Sequence, residues 1–235
     1  MSSTEVATPD VLARGHLTVK GRLPRSSNAT FLVEVAHEEG TTLAVYKPER
    51  GERPLWDFPP GLFRREVAAY LLSEALGWGL VPPTIVREGP LGEGSLQAFV
   101  PADFAQHYFT LRETAVHQPA LRRICVFDLV ANNADRKSGH CLLAGDGRLY
   151  AVDNALSFHA EPKLRTVIWD FAGEPVPGPL LRDLRRLVAR GIPSALEALL
   201  EPEELDALLA RAKSLIAGRR FPTDPGGRSY PWPLV

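Results

Sequence analysis

The chain has 235 residues, 45% hydrophobic and 23% charged, enough to bury one substantial core or two small lobes. That excludes a disordered chain, a collagen and a disulfide-stapled miniprotein. The 27 Lys+Arg against 28 Asp+Glu leave a net charge of -1, so no global field favours nucleic acid or a polybasic membrane contact.

Residues 1–10 are small and polar and read as a flexible end, with neither the basic n-region nor the apolar h-region of a secretory signal. Alternation between His16 and Val35, broken by Pro24-Arg25-Ser26-Ser27-Asn28, predicts a β-hairpin with a polar loop. Residues 42–47 form a third strand closed by Pro48, and residues 51–61, with Pro54, Pro59 and Pro60, form a loop. Apolar positions 63, 67, 70, 71 and 75 predict a helix over 62–76, stopped by Gly77. Short strands are expected at 84–87 and 96–100. Residues 11–100 therefore read as an N-terminal lobe of antiparallel strands and one helix.

Residues 101–235 read as a second, mainly helical lobe. A helix is predicted over 121–131, then a polar loop, then strands at 141–144 and 148–153 joined by Gly145-Asp146-Gly147, where Asp-Gly suits a hairpin turn. Leucine-rich helices follow at 179–190 and 202–217. Cys125 and Cys141 lie in apolar contexts without CxxC spacing and read as buried small hydrophobes in a reducing, cytoplasmic setting. No uncharged apolar run reaches about 18 residues, so no membrane span is predicted.

The chemistry concentrates on that helix–loop–hairpin unit. A hairpin of this length returns Asp153 to the loop bearing Asp135 and His140. Two carboxylates beside Asn133 and His140 suit a divalent metal and the orientation of a hydroxyl. The plainer alternative is that Asp135 caps a turn and Asp153 ends a strand. In the first lobe, Lys47 follows Leu43 and Val45 at alternate positions, so its stem is expected on the inward face. Glu66 has Leu62, Phe63, Ala69 and Tyr70 as helical neighbours, which places its carboxylate by the buried stripe, where it needs a partner. The alternative is a solvated Lys47 and an exposed Glu66. His16, His37, His107 and His117 lack ligand spacing, and Ser157 with His159 lacks a nucleophile elbow.

Cys125-Val126-Phe127-Asp128-Leu129-Val130-Ala131-Asn132-Asn133-Ala134-Asp135-Arg136 resembles the helix and catalytic loop of the phosphatidylinositol 3-/4-kinase-like superfamily, which includes HipA-type kinases. The family pattern is Asp-Arg-His-x-x-Asn, then a hairpin and Asp-x-Gly. The whole chain also resembles an actinobacterial family within that superfamily. The resemblance implies an α+β, two-lobed protein-kinase-like fold and transfer of phosphate from ATP, with Mg²⁺ or Mn²⁺, to a hydroxyl-bearing acceptor. It makes Asp135 the catalytic aspartate, Asp153 the metal aspartate with His140 and Asn133 beside it, Lys47 the ATP lysine and Glu66 its partner. Ser26, Ser27 and Asn28 would replace the phosphate-covering loop. The chain departs from the pattern at His140, where Asn is expected, at Lys137 in place of His, and at Ala155 in place of Gly. A nucleotide-binding pseudokinase is the first alternative, and a metal-dependent phosphoester hydrolase the second.

Overall fold

A computed structural model describes residues 6–24, 28–38, 40–224, 226, 227 and 229–234. Helix α1 (Pro9–Arg14) begins where the composition suggested a flexible end: Thr8 caps it, Pro9 opens its first turn, and Leu12 is completely buried. Strands β1 (His16–Arg22), β2 (Phe31–His37), β3 (Gly40–Pro48), β4 (Thr84–Gly89) and β5 (Gly92–Ala98) form one antiparallel sheet in the order β1-β2-β3-β5-β4. Ala44 and Tyr46 of β3 are buried with Leu12, Val33, Val35 and Leu96 in the core of this sheet.

That arrangement corrects one premise of the sequence reading. Leu43, Val45 and Lys47 lie on the other, less buried face of β3, and Leu43 is exposed. Lys47 thus leaves the sheet from the side opposite the α1-covered core. Its backbone is closely held: Lys47 pairs with Ser95 and Pro48 with Gly94 across β5, and a Cβ on Gly94 would stand 2.4 Å from the Lys47 carbonyl oxygen. Only glycine fits there without moving Lys47.

Helix α2 (Leu62–Leu76) starts after Gly61 (φ 82°) and stops at Gly77 (φ 72°), both in the left-handed region. Glu52 caps its start, accepting the backbone N–H of Gly61 at 3.0 Å and of Phe63 at 2.7 Å. The remaining helices are α3 (Tyr108–Leu111), α4 (Gln118–Ala131), α5 (Gly178–Arg190), α6 (Ser194–Glu197) and α7 (Pro202–Gly218). The short α3 and α6 have no counterpart in the sequence reading, because a single turn carries no periodicity. Ala68, Leu72 and Leu76 of α2 join Ile124, Phe127, Leu184 and Leu208 in one large core. Helix α2 is therefore shared between the sheet and the helical lobe.

The second sheet is the hairpin of β6 (Cys141–Leu143) and β7 (Leu149–Ala151), shorter than expected. The chain leaves β7 because Asp153 takes a left-handed conformation at φ 57°, which no strand accommodates. Among the described residues no helix is long and apolar enough to cross a membrane.

Candidate active site

The loop after α4 is set by two asparagines. Asn132 ends the helix at φ 56°, a conformation Asn tolerates better than most residues. Its side chain donates to the carbonyls of His159 at 2.9 Å and Glu161 at 2.7 Å and accepts from the Lys163 N–H at 3.0 Å, pinning the segment that follows Asp153. Asn133 is fully buried; its Oδ1 accepts the Asp135 N–H at 2.9 Å and its amide nitrogen faces Asn154 Oδ1 at 3.4 Å. Both ends of the Asn133 side chain are thus spent on the loop, beneath Asp135 and away from solvent.

Arg136 is the anchor under the site. Its side chain is completely buried, reaches Asp128 through three contacts of 2.9–3.1 Å, and donates to the Val152 carbonyl at 2.7 Å and Asn154 Oδ1 at 2.6 Å. Burial pushes the Asp128 carboxyl up against the opposing pull of Arg136; for Arg136, burial favours loss of the charge but Asp128 outweighs it. One guanidinium so ties α4, the loop bearing Asp135 and the segment after β7 together. The sequence reading missed Asp128, Arg136 and Asn154. A signal was present for Asp128, which falls at helical spacing from Ile124 and Cys125 on a buried stripe and needs a cation there.

Above this floor the sequence-predicted side chains meet. The Lys47 ammonium donates to Glu66 Oε1 and, at 2.8 Å, to Asp153 Oδ1, 106 residues away. Glu66, 1% exposed, uses its other oxygen to accept the Asn154 N–H at 3.0 Å. Burial works against the charge on Lys47, but Asp153 and Glu66 together raise its pKa above the ordinary lysine value. Lys47 and then His140 hold Asp153 well below the usual carboxylate range. Burial pushes the Asp135 carboxyl up, opposed by Lys137, whose ammonium lies 3.0 Å from Asp135 Oδ2.

His140 faces Asp153, with Nε2 3.3 Å from Oδ2. Burial pulls its pKa down to about 4, so the imidazole is neutral at pH 7. The Lys137 backbone N–H points at His140 Nδ1 at 3.4 Å, which makes Nδ1 the acceptor and Nε2–H a donor to Asp153. In this tautomer the His140 nitrogen that faces Asp153 carries the proton and offers no free lone pair there.

Of the remaining predicted residues, Ser26 and Ser27 lie outside the described residues. Asn28 accepts the Arg53 N–H at 3.0 Å through its Oδ1, joining its loop to the segment between β3 and α2.

No protein-family model matches the chain. Among solved structures it is similar to that of hydra Fam20 with sugar, at a TM-score of 0.56 and 14% identity, covering 89% of this chain and 87% of that one. It is also similar to the Helicobacter pylori proinflammatory kinase CtkA, at a TM-score of 0.50 and 11% identity, covering 89% and 94%. These likenesses show the fold, a two-lobed α+β protein-kinase-like architecture. At the level of sequence the chain is 43% identical to protein Rv2133c of Mycobacterium tuberculosis over an alignment of 260 positions, covering 95% of this chain and 94% of that protein. It belongs to the family of Rv2133c.

Proposed function

We propose that this protein is an ATP-dependent phosphotransferase acting on an alcohol, and that its catalytic loop descends from the phosphatidylinositol 3-/4-kinase-like and HipA-type group it resembles. The observation that carries this reading is Lys47, which joins Glu66 of α2 to Asp153 beyond β7. A strand lysine, a helix glutamate and a carboxylate after a hairpin are the parts that hold nucleotide phosphates and their metal in kinases. Phosphoryl transfer needs little covalent help from a protein; positioning and charge neutralisation supply most of the rate.

In this reading Lys47 exchanges part of its contact with Asp153 for nucleotide phosphate oxygens, and Glu66 keeps it aimed. Asp135 accepts the proton of the acceptor hydroxyl, and its raised pKa brings it nearer to a base matched to that task. Lys137 neutralises charge beside it. His140 and Asn133 act as positioning residues, one on the Asp153 carboxylate and one on the Asp135 backbone.

A divalent metal fits this donor set. Asp153 is 49% exposed and offers hard oxygens, as does Asp135. Among the described residues no three His, Cys, Asp or Glu side chains form a preassembled cage. Mg²⁺ is held in this way in phosphoryl-transfer sites, by one or two carboxylates with phosphates and water supplying the rest, and Mn²⁺ accepts the same oxygens. Bound there, the metal supplies charge neutralisation of the transferring phosphate.

A second reading, a pseudokinase that binds nucleotide without transfer, is favoured by Ala155 at the Asp-x-Gly position and by the Lys137–Asp135 ion pair. Calorimetric titration with a non-hydrolysable ATP analogue, in Mg²⁺, in Mn²⁺ and with chelator, tests the site itself. Metal-dependent binding that is lost in Asp153→Ala is expected. Absence of binding under every condition overturns both readings. Turnover assays with candidate alcohols then separate the two.

A further inference from the structure

At the turn end of the β6–β7 hairpin, away from Asp153, lies a cavity of about 420 Å³ lined chiefly by Trp78, Leu80, Arg123, Arg148 and Leu149. None of Lys47, Glu66, Asp135 or Asp153 contributes to it. Its charged lining consists of two arginines and no carboxylate.

Arg123 is the unusual member. Among the described residues it has no ion pair and no side-chain hydrogen bond, and its Nε is buried without an acceptor. Its neighbour Arg122 pairs with Glu174 at 2.5 Å, and Arg186 beside Gly77 pairs with Asp183 at 3.1 Å. A buried Nε–H left without an acceptor costs stability, and it leaves the half-buried Arg123 with no protein partner for its charge. Arg148 is steadied by the Tyr150 hydroxyl at 3.2 Å and sees Asp146 only at 4.0 Å, which leaves its charge largely uncompensated. Gly77 (φ 72°), Gly79 (φ 53°) and Gly147 (φ 82°) also line the wall, and side chains are disfavoured at all three. The backbone is therefore approachable from within the cavity.

We propose that this cavity binds a small phosphorylated molecule, with its phosphate on Arg123 and Arg148 and its apolar part against Trp78 and Leu80. The acids around the cavity leave the pair in excess: Asp146 reaches Arg148 only at 4.0 Å, and Asp183, which accepts the Trp78 indole N–H at 2.9 Å, is paired with Arg186, so the two forked cations suit a phosphate monoester dianion, whose oxygens guanidinium fits two at a time. The volume falls in the usual range for small-molecule sites, roughly 300–1,000 Å³. The proposal does not depend on phosphotransfer at the cleft.

The test uses phenyl phosphate as probe and phenol as the uncharged control, measured by calorimetry and by thermal shift on the whole chain. Wild type is compared with Lys47→Met, which removes the cation between Glu66 and Asp153, and with Arg123→Met and Arg148→Met. Saturable binding of phenyl phosphate, not of phenol, is expected in wild type and Lys47→Met, weakened at least about tenfold in each arginine variant. The unliganded melting temperature shows whether a variant is folded. Arg148 is 62% exposed, so its variant keeps the test decisive if Arg123→Met does not fold. Absence of saturable binding in wild type overturns the proposal. So does binding that survives both arginine substitutions, or binding abolished by Lys47→Met, which places the probe in the cleft.

Discussion

Glu66 and Asn154, 88 residues apart, are joined by a 3.0 Å hydrogen bond from the Asn154 backbone N–H to the carboxylate whose other oxygen holds Lys47. One side chain of α2 therefore fixes both the lysine of the sheet and the residue after Asp153. Both of its oxygens are needed, because both partners are donors.

That geometry makes Glu66→Gln informative. The amide keeps the shape but must turn its NH₂ towards either the Lys47 ammonium or the Asn154 N–H, a donor against a donor in a buried place. A loss of about 1–3 kcal/mol is expected, the usual cost of a buried polar group left unsatisfied. Urea unfolding of wild type and variant measures it. Unchanged stability would mean that the pair is not held as described.

Asp135→Asn isolates the proposed proton acceptor. The amide can still fill the loop, so nucleotide-analogue affinity should stay within about threefold, while turnover falls by about 10²–10⁴, the usual range for a positioned acid–base group. Wild-type turnover in the variant would remove Asp135 from the chemistry.

His140 carries a pH signature. Its folded pKa of about 4 lies below the free value of 6.5, so between those limits the unfolded chain binds a proton that the folded chain does not. Its contribution is complete above about pH 6.5 and is lost as pH falls towards 4, to an extent on the order of 3 kcal/mol at 1.36 kcal/mol per unit. Unfolding free energies of wild type and His140→Asn, measured from pH 7.5 to 4, should converge or cross as the solution becomes more acid. Parallel curves would show that the imidazole titrates normally.

The Asp128–Arg136 pair should be the most sensitive element of the floor. Asp128→Ala strips the partner from a guanidinium with no exposed surface, and breaking a buried pair from one side typically costs about 3–5 kcal/mol. Replacing both, as Asp128→Leu with Arg136→Met, should recover part of that loss. Equal damage from the single and double variants would show that Arg136 matters for its bonds to Val152 and Asn154 instead.

The elements with strong local signals were legible in the sequence. The apolar spacing and Gly77 delimited α2, the Asp-Gly turn marked the second hairpin, and the demand of a lysine for a partner led from Lys47 to Glu66 on the buried stripe. The face of β3 was misread, because Leu43 and Val45 are as apolar as Ala44 and Tyr46, and alternation alone does not say which set meets α1. Asp153 was expected to end a strand, yet its left-handed conformation is fixed by bonds its neighbours make to Arg136 and Glu66, which no local pattern records. The loop floor stayed mostly hidden: Asp128 carries a signal as a carboxylate on a buried stripe, but nothing local says that Arg136, eight residues on, turns back to it or that Asn154, eighteen further, joins them.

Helix α2 is tethered on every side. Glu52 caps its start, Glu66 is bound to both Lys47 and Asn154, and Arg65 forms a buried ion pair with Glu204 of α7. In kinases that are switched, the lysine–glutamate pair is broken by swinging this helix outward until a phosphorylated loop restores it. Such a swing here would leave Arg65 and Glu204 facing each other's absence in a buried place. Helix α2 is braced as a strut, and moving it outward would first have to break the buried Arg65–Glu204 pair.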